Sequence, residues 1–130
     1  MSQSFLPKHK ADLESVADLD AFSNRQLEPY LKDLLTWLKD YNWPVAEPIS
    51  RRLSKCGSEI VEPLNSILRS DDAIWKGWVI SEVVEHLSRE AREGVMSEIV
   101  RLINSPSEAD EREEAHLVAK DIMFLHSHGA

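Results

Sequence analysis

Residues 70–87 read SDDAIWKGWVISEVVEHL. From about Asp72 to Leu87, Ile74, Trp75, Trp78, Val79, Ile80, Val83, Val84 and Leu87 cover most of the circumference of a helix. A helix that is apolar nearly all round belongs in the middle of a domain. Asp71 or Asp72 supplies a side-chain oxygen to cap its first turn. In this reading Trp78 shares a stripe with Ile74 and joins the core.

The same spacing of three to four residues between apolar positions runs through most of the chain. Leu13, Val16, Ala17 and Leu19 predict a first helix, and Leu27, Leu31, Leu34, Leu35 and Leu38 a second. Val45, Ile49, Leu53 and Cys56 predict a third. Gly57 is expected to close it, because glycine tolerates positive φ at a helix C-terminus. Ile60, Leu64, Ile67 and Leu68 mark a fourth, Val95, Met96, Ile99, Leu102 and Ile103 a sixth, and Ala115, Val118, Ile122 and Leu125 a seventh. Pro44 suits a first turn, where a missing N–H is harmless. Ser107 and Asp110 have the spacing of a capping box. No strand alternation competes, so the class is all-α.

Three segments share a form: Glu28-Pro29-Tyr30, Glu47-Pro48-Ile49 and Glu62-Pro63-Leu64. Each is followed by a leucine five residues after the proline: Leu34, Leu53 and Leu68. Asp40-x-x-Trp43 is echoed by Asp72-x-x-Trp75, 32 residues on. Short helices in antiparallel pairs, with prolines in their early turns, predict a short α-α superhelix of HEAT-like units with about seven helices. A compact helical bundle is the alternative.

The chain has 130 residues, which fits a single helical domain over 1–130, with flexible ends expected at 1–10 and 127–130. Its hydrophobic fraction is 42% and its formal net charge -8, a globular composition with an acidic surface. Nucleic acids and anionic membranes call for a basic face, so neither is an expected partner. A basic protein is the better match. Cys56 is the one cysteine, which fits a reducing compartment. MSQSFLPKHK has no apolar signal core and no apolar run spans a bilayer, so a cytoplasmic location is expected.

The runs LLTWLKDYNWPVAEPI and SDDAIWKGWVISEV, with the opening LPK, resemble the bacterial domain of unknown function 5071 family. The resemblance extends from Leu6 to about Val118, and rests on N-W-P-V-A followed some thirty residues on by D-D-x-x-W-K. It implies a small HEAT-like superhelix with no established activity. It also points, more loosely, to an immunity role, because some related small helical domains occur near toxin genes. Gly77 stands where the family pattern has an aromatic such as Tyr before Trp78. The resemblance brings no catalytic residues with it.

Two stretches form a candidate partner-binding ridge: Asp40, Tyr41, Asn42 and Trp43 with Asp71, Asp72, Trp75 and Lys76. Inter-helix loops of successive repeats lie side by side, and Trp and Tyr are common binding anchors. In the competing reading Trp43 and Trp75 are staples that pack on their own helices, with Asn42 and Asp72 as caps. Solvent exposure of the two tryptophans separates the readings. Trp37 lies off the leucine stripe and is expected to be partly exposed.

Other candidate chemistry is weak. Cys56 continues an apolar stripe and has no activating base at a telling spacing, so it reads as a buried inert thiol. His126-x-His128 and His116 supply no rigid set of three or four metal ligands. Arg51, Arg52 and Lys55 read as a solvated basic face. Glu108, Asp110, Glu111, Glu113 and Glu114 open the last helix, where the helix dipole favours negative charge. No phosphate loop or nucleophile elbow occurs.

The expectation is therefore a non-enzymatic protein-interaction module without cofactor or metal, concretely a bacterial immunity or adaptor protein that docks a basic protein. The alternative is a HEAT-like nucleic-acid-processing enzyme of the DNA glycosylase type. That alternative needs a continuous positive concave face.

Overall fold

The structure, a computed structural model, describes residues 5–128, with side chains described for 5–124. Among the described residues every regular element is helical. In chain order these are α1 (Leu13–Val16), α2 (Asn24–Leu27), α3 (Leu31–Thr36), α4 (Ala46–Leu53), α5 (Val61–Leu68), α6 (Ala73–Glu82), α7 (Arg89–Asn104), α8 (Glu108–Arg112) and α9 (Ala115–His128). Tighter 3₁₀ turns fill Leu19–Ala21, Glu28–Tyr30, Ser58–Ile60 and Val84–His86. No helix of the described residues is long and apolar enough to cross a membrane.

The capping signals are realised. The Asp72 carboxylate accepts the Trp75 N–H at 3.0 Å. Ser107 and Asp110 form a reciprocal capping box on α8, and Ser23 with Gln26 forms another on α2. Such caps satisfy amides that have no partner inside the helix. Pro29, Pro48 and Pro63 all lie in early turns, and Leu34, Leu53 and Leu68 are each fully buried.

Several expected helices are broken, each for a physical reason. The second divides into α2, the turn Glu28–Tyr30 and α3. Pro29 lacks an N–H for the ladder, and the chain tightens there. The fifth stops at Glu82, because Val83 leaves the helical region at φ -122° and ψ -59°. Val83 and Val84 are consecutive β-branched residues, and both go fully into the core. The acidic run does not open the last helix. Its first three acids lie in α8, Glu113 follows that helix, and Glu114 turns the chain at φ 61° before α9 begins. A non-glycine residue in that region costs about 1–2 kcal/mol.

Gly57 does not close a helix at positive φ. Its φ is -97°, α4 already ends at Leu53, and Gly57 instead precedes the Ser58–Ile60 turn. The basic cluster is not a solvated face either. Arg52 is only 6% exposed, and its guanidinium donates to the carbonyls of Leu19 at 3.3 Å and Phe22 at 2.8 Å. This clamps α4 to the N-terminal segment. Arg51 stays in solvent and pairs with Glu47, and Lys55 pairs with Asp20.

Residues 5–10, expected to be a flexible end, make defined contacts with the body of the domain. Phe5 is 2% exposed, packed between the rings of Phe22 and Tyr30. The Lys10 carbonyl accepts the Val45 N–H at 3.1 Å. The Asp12 carboxylate accepts the Lys8 amide and the Ser15 hydroxyl, which draw its pKa down to about 2. Residues 127–128 continue α9, and residues 1–4 and 129–130 lie outside the described residues.

α6 occupies the middle, touching α4, α5, α8 and α9, while α7 packs on α5 and on α9. Its inner side, Ala73, Val79 and Ile80, is buried. Its outer side is not, and that exposed side leads to the candidate site.

Candidate functional site

The segment between α3 and α4 and the outer side of α6 meet along an aromatic seam. The Tyr41 ring stacks on Trp78 at 5.2 Å between centroids, 25° from parallel. The Trp75 indole N–H donates to the Leu35 carbonyl at 2.9 Å, and the Lys39 ammonium sits 4.7 Å from its ring centre. Trp43 meets Trp37 edge-on at 5.8 Å. All four tryptophans are half-buried. Trp78 is thus not the core residue its apolar stripe implied: Ile74, four residues earlier, is 51% exposed.

The predicted ridge is only partly assembled. The Asp40 carboxylate accepts the Asn42 amide at 2.9 Å and shapes the turn. Asn42 is exposed and caps no helix. Asp71 and Asp72 are exposed at the start of α6. Trp43 and Trp75 are neither open nor enclosed, and Trp75 is tied to α3 by its indole hydrogen bond. Lys76 is removed from any docking surface. It is buried, and its ammonium lies 2.9 Å from the Asp110 carboxylate, with the two side chains 5% and 4% exposed. Burial works against the charge on Asp110. The Ser107 amide and Lys76 outweigh it and hold the carboxyl below the usual carboxylate range.

Two hollows lie beside this seam, one lined by Tyr41 and the other by Trp78. The first, of 370 Å³, is lined by Tyr41, Glu47, Ser50, Arg51, Glu82 and His86 among others. Its hydroxyls are already engaged. Ser50 Oγ donates to the Glu47 carbonyl at 2.9 Å, which leaves the Tyr41 hydroxyl, 2.6 Å away, to donate to Ser50. Burial raises the pKa of the Tyr41 phenol, so it stays protonated at neutral pH. Ser50 therefore has a carbonyl, not a side-chain base, as its acceptor, the wrong arrangement for an activated nucleophile. The second hollow, of 300 Å³, lies between α6 and α9, with Ile74, Gly77, Trp78 and Val118 as its apolar lining and Glu113 at its edge.

Cys56 is 2% exposed, and burial pushes its thiol up to about 11. It is a neutral thiol at physiological pH, and the thiolate is the reactive form. Among the described residues no group of three His, Cys, Asp or Glu side chains gathers around a point where a metal could sit. The side chains of His126 and His128 lie outside the described residues.

Residues 5–123 match the family described as Domain of unknown function (DUF5071). The chain belongs to this family. A search of curated proteins finds no match. In this member of DUF5071, sequence reasoning named the tryptophans and missed what surrounds Trp78: Ile74, Gly77 and Val118. One signal was available. A glycine in the middle of a helix that is otherwise strongly apolar calls for a reason, and Gly77 has such a position.

Proposed function

We propose that this chain is a non-enzymatic protein-interaction module, a short HEAT-like superhelix that docks a basic partner protein. The observation that carries the reading is the outer side of α6. There an exposed Ile74 and a half-buried Trp78 flank an open hollow edged by Glu113, on a chain of net charge -8. Large apolar side chains clustered in solvent beside carboxylates suit a partner that carries both apolar and cationic groups. The superhelical arrangement is supported by the three Glu-Pro segments, each in an early helical turn and each followed by a fully buried leucine. The concrete biological form is a bacterial immunity or adaptor protein.

Affinity capture from the source cell, followed by reconstitution with the purified partner, tests the reading. One protein at stoichiometric ratio is expected, with association that weakens as salt screens the charges. Recovery of no stoichiometric partner would overturn it. Capture of a partner unrelated to any toxin would remove the immunity form and leave the adaptor form.

A further inference from the structure

The geometry points to the hollow between α6 and α9 as the seat for one apolar side chain of a lysine- or arginine-bearing segment of the partner, with Gly77 as its floor. This rests on the protein-interaction reading and names the surface that performs it. A glycine inside a helix sacrifices about 1 kcal/mol relative to alanine. The usual compensation is close approach of a neighbour, as at Gly94, where an added Cβ would lie 2.8 Å from Val61. At Gly77 an added Cβ would meet nothing within 4 Å. The fold does not need this glycine. What its bare backbone provides is open space beside Ile74, Trp78 and Val118.

The walls are already in place. Trp78 is stacked on Tyr41, so its ring is oriented before any partner arrives, and little rotamer freedom remains to be lost. The rim is acidic. Glu113 lines the hollow, Glu114 follows it in sequence, and Asp71 and Asp72 are exposed where α6 begins. Lys76, the one cation of α6, is turned inward onto Asp110. Arg112, exposed just before Glu113, is the single cation of α8, and Lys120 is the single lysine of α9, so carboxylates outnumber cations around the hollow. A second copy of this chain would set carboxylates against carboxylates, so the charge favours a cationic segment of another protein.

The test titrates the isotopically labelled full chain with three short peptides of equal length: leucine–lysine, lysine–glycine and leucine–glutamate. Backbone amides and tryptophan indoles are followed by NMR. The expected result is saturable shifts at Gly77, Val118 and the Trp78 indole with the leucine–lysine peptide alone. Gly77→Leu, which fills the hollow, and Ile74→Lys, at an exposed position, should each weaken that binding by roughly tenfold or more. Both variants are checked for melting no lower than that of the parent chain. Equal shifts with lysine–glycine, or full affinity in Gly77→Leu, would overturn the seat. Saturable shifts on another face would also overturn it while leaving the interaction module standing. Absence of saturable shifts with any peptide would overturn it too, and the module would then stand or fall on partner capture.

Discussion

Two helix glycines sit in opposite surroundings. Gly94 lies in α7 where it crosses α5, so close that an added Cβ would be 2.8 and 2.9 Å from the two Val61 methyls. The contact is sewn shut by polar groups. Asn65 donates to the Gly94 carbonyl at 3.2 Å, and Glu98 accepts from Arg69 and Arg101 at 2.8 Å each. Gly77 lies in α6 beside α9, with no atom of a neighbouring element within 4 Å of the missing Cβ. One glycine brings two helices together, and the other leaves a gap between two. The same residue type therefore has a packing role in one seam and a surface role in the other.

The comparison presumes that α6 is fixed, and Lys76 with Asp110 fixes it to α8. Lys76→Met breaks that premise most severely. It leaves a buried carboxylate without its counter-ion, and loss of one partner of a buried pair costs about 3–5 kcal/mol. Urea unfolding should show the loss. Lys76→Met combined with Asp110→Asn should recover part of it, because the uncompensated charge is gone. If Lys76→Met is as stable as the parent chain, the pair does not hold α6.

A bulky residue at each glycine sharpens the contrast. Gly94→Leu must drive a side chain into Val61, whose branched Cβ has little freedom inside a helix. Overpacking of that kind costs about 1–3 kcal/mol, and the upper end is expected here. Gly77→Leu should change stability by well under that, because its side chain enters open space. Adding Val61→Ala to Gly94→Leu should restore stability, and a double-mutant cycle would measure the coupling. Equal losses at both positions would erase the distinction.

Acid should loosen the α5–α7 seam and the tie between α6 and α8. Arg69 and then Arg101 hold the Glu98 carboxyl below its usual range, and Asp110 is lowered as well. Each folded-state pKa lies under its unfolded value. The stability they contribute is complete above the ordinary carboxylate range and disappears as pH falls through the folded values. Glu98→Gln should cost about 1 kcal/mol at neutral pH and flatten the acid limb of the stability profile. An unchanged limb would show that the closed seam does not depend on that charge.

Much of this was legible in the sequence, for identifiable reasons. Helical class, the Asp72 and Ser107 caps, the buried leucines after each Glu-Pro pair and the inert Cys56 follow from local periodicity and residue type. The breaks at Val83 and Glu114 did not, because tertiary packing sets them against the local pattern. Arg52 read as a surface residue because its acceptors, the Leu19 and Phe22 carbonyls, are some thirty residues away in sequence. Lys76 failed as a docking residue for the same reason: its partner, Asp110, belongs to an element that looked like part of the last helix. At the candidate site the sequence identified Trp43 and Trp75 by type. Only the fold revealed that Trp78 is the tryptophan that lines an open apolar hollow.

The smallest expected effect is also the most discriminating. Alanine is a better helix residue than glycine by about 0.5–1 kcal/mol, chiefly because glycine loses more backbone freedom on folding. At Gly77 nothing opposes that gain, so Gly77→Ala should raise the melting temperature by a few degrees. At Gly94 the same gain is set against Val61 methyls under 3 Å from the new Cβ, so Gly94→Ala should lower it. One methyl group added at two helix interiors thus yields opposite signs, and differential scanning calorimetry on the two variants reads them directly. A fall in both would mean that α6 and α9 close over Gly77 in solution, and the open hollow would be lost with it. A rise at Gly77 means that the fold is more stable without its glycine, which leaves the space above it as the reason for having one.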